Sequence, residues 1–147
     1  RGRLLKQLFK VIFEQLVRKK VPVSSMGWGI VLWSDESWWV GATGDIFVYK
    51  VRKGIVNNIL QDSTYTVKLP SLYVRQLNGL YGNMGGLENE GAFIVCTKSI
   101  PRSLNEKRLK NLISDANSDF TRLPEMLIEL ARKRRRIEAA GVLVIQR

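Results

Sequence analysis

Histidine is missing from this sequence of 147 residues, and cysteine occurs only once, as Cys96. Without histidine, catalysis by a Ser-His-Asp or Cys-His arrangement is excluded, as are almost all transition-metal sites. Cys96 lies in the apolar segment 92–97 (AFIVCT), where we expect a small core residue rather than a nucleophile. Any hydrolysis would therefore depend on carboxylate, Tyr, Lys or Arg side chains, together with Mg²⁺.

Long apolar runs are missing as well. No stretch of the sequence approaches the roughly 20 apolar residues that a membrane-spanning helix needs. The chain starts with basic residues, but Lys and Gln interrupt the apolar positions of segment 1–10, which favours an amphipathic helix over a signal peptide. We therefore expect a protein that is not secreted and has no transmembrane segment, located inside the cell or within a virion or ribonucleoprotein particle.

Basic residues are abundant and unevenly distributed along the chain. Lys and Arg number 24 and Asp and Glu number 13, which gives a net charge of +11. Residues 1–20 contain seven basic residues and one acidic residue, and residues 132–147 contain six and one. Residues 21–131 carry eleven of each sign, so the two ends hold the whole excess of positive charge.

Such terminal clusters of positive charge are typical of proteins that bind a polyanion, because each neutralised phosphate releases condensed counterions. We expect a nucleic-acid-binding protein, for RNA or DNA, that belongs with other proteins to a ribonucleoprotein or viral assembly and has no membrane partner. The residues expected to contact nucleic acid are the basic residues of both ends and of one central segment: Arg3, Lys6, Lys10, Arg18, Lys19, Lys20, Lys50, Arg52, Lys53, Arg132, Lys133, Arg134, Arg135 and Arg136.

The pattern of apolar residues predicts one α+β domain over residues 1–147, with a mainly antiparallel small sheet or barrel-like core flanked by basic N- and C-terminal helices. Residues 1–20 would form a basic amphipathic helix and residues 21–121 a neutral, tryptophan-rich α+β core. Residues 122–147 would form a basic helix followed by a terminal strand.

Individual elements follow from local patterns. Strands are predicted at 28–33, 38–42, 64–69, 92–97 and 142–145, whereas 45–53 fits either a strand or the start of a helix. Helices are predicted at 3–19, 71–77, 103–114 and 124–140, the third opened by a Ser103–Glu106 capping box. The glycine-rich segment 78–91 is predicted to be a surface loop.

Two adjacent tryptophans, Trp38 and Trp39, lie in the second predicted strand. Adjacent residues of a regular strand point to opposite faces of its sheet. One tryptophan is therefore expected in the core, and the other is expected to stack on a base or to contact a partner beside Lys50, Arg52 and Lys53.

The order of elements over residues 27–116 resembles that of the GIY-YIG nuclease superfamily, with a hairpin, a helix, a third strand and a helix bearing a metal-binding glutamate. Segment 29–31 (GIV) stands at the GIY position and segment 39–41 (WVG) at the YIG position. The resemblance implies Trp39, Arg52 and Glu106 as catalytic residues with Mg²⁺ as cofactor. Trp39 stands in place of a family tyrosine, and an indole cannot transfer a proton as a phenol can.

We therefore predict a non-enzymatic protein with no catalytic residues, no metal and no cofactor, which binds nucleic acid through its ends. A degenerate Mg²⁺-dependent nuclease is the alternative from the enzyme class. A basic assembly or matrix-type protein, binding other proteins or an anionic membrane, is the third alternative.

Overall fold

The computed structural model describes the chain in twelve segments, most of them in its central and C-terminal parts. The described residues are 7, 11–12, 14–15, 18–20, 29–33, 37–43, 45–60, 65–66, 80–86, 91–116, 119–136 and 139–146.

Two four-stranded antiparallel sheets form the centre of the described fold. The first sheet has the strand order β1-β2-β6-β5, with bounds Gly29–Trp33, Ser37–Thr43, Leu80–Gly86 and Tyr65–Thr66. The second has the order β4-β3-β7-β8, with bounds Ile55–Asn58, Ile46–Arg52, Ala92–Thr97 and Val142–Gln146. The predicted α+β class with antiparallel strands is confirmed, although the described strands form two sheets instead of one small sheet or barrel.

The two sheets enclose an apolar layer because their strands alternate. Residues on β3 and β7 point in turn to the first sheet and to the opposite side. Val48 faces the first sheet and packs with Trp38, Val40 and Ala42 of β2. The indole of Trp38 meets the ring of Phe93 edge to face, with the centroids 5.4 Å apart.

Three helices cover the other face of the second sheet: α1, Ser99–Leu104; α2, Glu106–Asp115; and α3, Leu123–Arg134. The apolar side chains on this face include Tyr49 and Ile94 of the sheet, which pack with Leu109 of α2 and Leu127 of α3. A second and larger core therefore lies between sheet and helices, as in other layered α+β domains.

The predicted Ser103–Glu106 capping box is wrong. Ser103 is buried inside the short helix α1, and the side chain of Asn105 instead accepts a hydrogen bond from the backbone N–H of Arg108 at 2.9 Å. Asn105 has a positive φ of 57° with a ψ of 157°, a strained combination that residues other than glycine rarely adopt. This residue separates α1 from α2 and caps α2.

The glycine-rich segment predicted as a loop contains β6, which pairs with both β2 and β5. Glycine disfavours an isolated strand, but here the neighbouring strands supply hydrogen bonds on both sides. Gly85 lies opposite Trp38 and Gly82 lies opposite Gly41, so backbone pairing outweighs intrinsic propensity. Segment 45–53, which fitted either a strand or a helix, contains β3.

Near the N-terminus, Gln7, Val11, Ile12, Glu14, Gln15 and Arg18 are helical. The helix predicted over 71–77 lies outside the described residues. Within the described ranges, no helix combines the length and the apolar character needed to cross a membrane.

Candidate functional site

Polar groups converge at one end of the second sheet, where β3 begins, β7 ends and β8 begins. We call this group the strand-end cluster: the side chains of Asp45, Thr97, Lys98 and Ser99, and the backbone of residues 139–141. The chain places them together because Ile46 pairs with Thr97 and Val142 pairs with Cys96, so the residues next to these pairs meet at one edge.

Lys98 and Asp45 contact each other through both backbone and side chain. The backbone N–H of Lys98 donates to the carbonyl of Asp45 at 2.9 Å, and the ammonium donates to the Asp45 Oδ1 atom at 2.7 Å. The exposed fractions of the two side chains are 34% and 37%. The pair is therefore partly shielded from water and is still open to a ligand from outside.

Thr97 and Ser99 connect the end of β7 to the segment before β8 through hydrogen bonds. The Ser99 hydroxyl donates to the carbonyl of Ala139 at 2.9 Å, and the backbone N–H of Gly141 donates to Thr97 Oγ1 at 3.1 Å. The two hydroxyl oxygens are 2.9 Å apart. Because the single Ser99 proton goes to Ala139, the Thr97 hydroxyl is the donor between them.

This arrangement leaves Lys98 as the group of the cluster best suited to bind an anion. Both hydroxyl protons are used inside the protein, whereas an ammonium has three N–H donors and Asp45 takes one of them. Among the described residues, no second acceptor contacts this ammonium. A phosphate or carboxylate oxygen could therefore accept a charge-assisted hydrogen bond there.

Two further ionisable groups near the second core are held in their neutral forms. Burial raises the pKa of the Cys96 thiol to about 12. Burial is the main cause that raises the pKa of the Tyr49 hydroxyl far above its ordinary value, and the proximity of Cys96 and Glu106 raises it further. Neither group supplies an ionised nucleophile at neutral pH, in agreement with the structural role predicted for Cys96.

The structure places Trp38 on β2, Lys50 and Arg52 on β3, and Lys53 in the turn that follows β3. Trp38 is the core tryptophan of the pair, with 6% of its surface exposed, and the side chain of Trp39 lies outside the described residues. Lys50 is half-buried, with its ammonium 5.1 Å from the Trp38 ring. Arg52 and Lys53 are exposed where β3 ends.

The predicted basic residues of the two ends are exposed wherever they are described. They are Arg18, Lys19 and Lys20 near the N-terminus, and Arg132, Lys133, Arg134, Arg135 and Arg136 at the end of α3. Arg3, Lys6 and Lys10 lie outside the described residues. Glu106 begins α2, and its Oε1 atom is 3.1 Å from the Lys110 ammonium, an ion pair without hydrogen-bond geometry.

Sequence reasoning missed the strand-end cluster. Asp45, Thr97, Lys98 and Ser99 are single polar residues of common types, and 53 positions separate Lys98 from Asp45. The available signal was positional, since each of these residues lies at the end of an apolar strand or within two residues of it. Without the pairing of β3 with β7, nothing in the sequence indicates that these two strand ends meet.

Comparison with known proteins gives a consistent answer at the level of the fold. No family model matches the sequence, and no characterised protein matches it by sequence. The phosphatase domain of the cell fate determinant SpoIIE from Bacillus subtilis matches 99% of this chain and 65% of its own, with a TM-score of 0.71 and 11% identity. The Mycobacterium tuberculosis serine/threonine phosphatase PstP matches 78% and 56%, with a TM-score of 0.59 and 14% identity.

PppA, a regulatory component of T6SS in Pseudomonas aeruginosa, matches 97% of this chain and 66% of its own, with a TM-score of 0.58 and 17% identity. The chain thus spans between about half and two thirds of the length of the structures it matches. At these identities the likeness establishes the fold, which is that of PP2C-type serine/threonine phosphatase domains.

The fold corrects the predicted family and function. The resemblance to GIY-YIG nucleases over 27–116 is wrong, because the hairpin β1–β2 and the strand β7 belong to different sheets. The predicted nucleic-acid-binding function, the nuclease alternative and the ribonucleoprotein or viral assembly are contradicted by the phosphatase domains that share the fold. Nucleic acid is therefore no longer the ligand assigned to the basic residues.

The expectation of no cofactor is also contradicted at the level of the fold. The PstP catalytic domain has been solved with two manganese ions, and the SpoIIE domain after soaking with Mn. The residues described here do not fit such a site, since they contain no group of three or more acidic, histidine or cysteine side chains that could hold a metal. Asp45, the carboxylate of the strand-end cluster, is paired with Lys98.

Proposed function

We propose that the chain functions as a PP2C-type serine/threonine phosphatase domain whose ligand is a phosphorylated serine or threonine side chain of a protein. The observation that carries this proposal is the match of 99% of the chain to the SpoIIE phosphatase domain at a TM-score of 0.71. PstP and PppA support the same class with independent sequences.

The strand-end cluster is the part of the described fold that suits such a ligand. A phosphate monoester carries close to two negative charges at neutral pH and offers three acceptor oxygens. The Lys98 ammonium can donate to one of these oxygens while Asp45 holds it in place at 2.7 Å. Thr97 and Ser99 do not compete for the phosphate, because their hydroxyl protons are used to hold residues 139–141.

Binding of the phosphorylated side chain is the step that the described residues support, and hydrolysis requires a separate readout. Calorimetry with a phosphothreonine peptide and its unphosphorylated counterpart tests binding, and release of inorganic phosphate with Mn²⁺ added tests hydrolysis. We expect the phosphorylated peptide to bind at least about tenfold more tightly, which corresponds to one strong charge-assisted contact. Equal affinity for the two peptides, with no phosphate released, would contradict the proposal.

A lysine variant and a matched control test whether the phosphate contacts Lys98 of the strand-end cluster. Lys98→Met removes the ammonium beside Asp45, and Lys110→Met removes an ammonium of almost equal exposure beside Glu106, 35% against 34%. Both variants lower the net charge by the same amount. We expect phosphopeptide affinity to fall in Lys98→Met and to remain unchanged in Lys110→Met.

A further inference from the structure

Five consecutive basic residues at the end of α3 lie outside the strand-end cluster. We call Arg132, Lys133, Arg134, Arg135 and Arg136 the basic run, and every one of them is exposed. Within the described part of the chain, no carboxylate forms an ion pair with any of the five. Five adjacent positive charges repel one another, so the run favours an anionic partner.

The end of α3 determines how the run is presented. Ala131 is fully buried, which fixes the inward face of the helix just before the run. The helix ends at Arg134, and Arg135 takes an extended conformation with φ −145° and ψ 147°. The run therefore passes from the last helical turn into extended chain, which turns successive side chains toward different sides.

The strand-end cluster holds the chain shortly after the basic run. The Ser99 hydroxyl donates to the carbonyl of Ala139 at 2.9 Å, and Ala139 lies three residues after Arg136. Three extended residues span at most about 11 Å. The backbone of Arg136 therefore lies within about 11 Å of that of Ala139, beside the cluster that contains Lys98. The long side chain of Arg136 can extend over much of the distance between its own backbone and the strand-end cluster.

We infer that the basic run binds acidic residues next to the phosphorylated residue, so that the preferred ligand is a phosphoserine or phosphothreonine within an acidic segment of a protein. This inference rests on the proposed function, because it extends the phosphate contact at Lys98 to the flanking residues. Guanidinium groups suit this task, since they pair with carboxylates in a bidentate geometry. Opposite charges on the two surfaces also raise the rate of association and make it sensitive to salt.

Two phosphothreonine peptides and two triple variants test the inference. The peptides differ only in their flanks, which are Asp and Glu in one and Ser and Gln in the other. The test variant combines Arg134→Gln, Arg135→Gln and Arg136→Gln, and the control variant combines Arg18→Gln, Lys19→Gln and Lys20→Gln. Both variants remove three exposed positive charges, so they differ in position and not in net charge.

We expect the parent chain to bind the acidic-flank peptide about tenfold more tightly than the neutral-flank peptide at low salt. The test variant should lose most of this preference while still binding the neutral-flank peptide as the parent does. The control variant should keep the preference.

Four other results would overturn the inference. Equal loss of preference in both variants would show that only the total charge matters. If an unphosphorylated acidic peptide bound as tightly as the phosphorylated acidic-flank peptide, the basic run would act independently of the phosphate contact. If the test variant kept the preference for the acidic-flank peptide, that preference would come from other residues. Phosphopeptide binding itself, and with it the proposed function, would then be unaffected. Failure of the parent chain to bind either phosphopeptide would contradict the proposed function and the inference together.

Discussion

Lys98 and Asp45 extend the pairing of β7 with β3 by one residue beyond the Ile46–Thr97 pair, with a backbone hydrogen bond of 2.9 Å and an ion pair of 2.7 Å. The backbone bond fixes where the lysine side chain starts, and the carboxylate fixes where it ends. A positive charge is thereby held at an edge where three strands converge. The proposed phosphate contact depends on this placement.

Removal of the Lys98 ammonium should have a small effect on stability. Both side chains of the pair are about one third exposed, so solvent screens their attraction, and such pairs contribute about 1 kcal/mol or less. Chemical denaturation of Lys98→Met should therefore show a loss within that range, similar to the loss in Lys110→Met. A loss of several kcal/mol would mean that Lys98 is a structural residue, and reduced phosphopeptide binding could then not be assigned to the contact.

Removal of the Ser99 hydroxyl should loosen the segment that leads from the basic run to β8. Ser99→Ala leaves the Ala139 carbonyl and the Thr97 hydroxyl each without one hydrogen-bond partner, which typically costs about 1 kcal/mol. Hydrogen exchange should become faster at the Gly141 amide, which donates to Thr97. Thr97→Ser is the control, since it keeps the hydroxyl and loses only a methyl group. Unchanged exchange in Ser99→Ala would contradict the coupling of the two hydroxyls.

The turn between β3 and β4 offers a test of the fold that does not involve the site. Lys53 and Gly54 have φ angles of 46° and 75°, and positive φ at both central positions is typical of a type I′ turn. Asn-Gly is the preferred pair for this turn, so Lys53→Asn should stabilise the fold by a few tenths of a kcal/mol, whereas Gly54→Ala should destabilise it by about 1 kcal/mol. Melting temperatures measure both changes. A loss of stability in Lys53→Asn together with a gain in Gly54→Ala would rule out this turn.

Stability should decrease as the pH rises above the ordinary pKa of a thiol. Cys96 has a pKa of about 12 in the folded chain and 9.0 in its ordinary environment, so between these values the unfolded chain loses a proton that the folded chain keeps. The contribution is fully present below pH 9 and declines by up to about 1.4 kcal/mol per pH unit above it. The raised pKa of Tyr49 acts in the same direction. Denaturation midpoints between pH 8 and 10.5 should fall less steeply in Cys96→Ala, and equal slopes would contradict this assignment.

Local patterns in the sequence predicted the strands well where apolar residues form continuous runs. The predicted strand 92–97 has the bounds of β7, and the strand predicted at 142–145 differs from β8 by one residue. The prediction of a loop at 78–91 was wrong because β6 forms its hydrogen bonds with β2 and β5, and no local pattern reveals this pairing. The final helix was predicted too long, since it ends at Arg134, and Ala139 and Gly141 form hydrogen bonds with Ser99 and Thr97 instead of helical ones.

The functional prediction failed for a related reason. Charge is visible in a sequence, so the basic ends dominated the interpretation and suggested a polyanion. The four side chains of the strand-end cluster are ordinary polar groups from two distant segments, and only the pairing of β3 with β7 brings Asp45 to Lys98. Composition indicates which ions a surface attracts, whereas the topology determines which strand ends meet.

The most direct test of the phosphate contact is a titration of the isotope-labelled chain with a phosphothreonine peptide, followed through backbone amide signals. We predict that the largest shifts occur at Asp45, at residues 97–99 and at residues 139–141, that they saturate, and that the unphosphorylated peptide does not cause them. Shifts confined to other parts of the fold, or equal shifts with both peptides, would contradict the assignment of the phosphate site to Lys98.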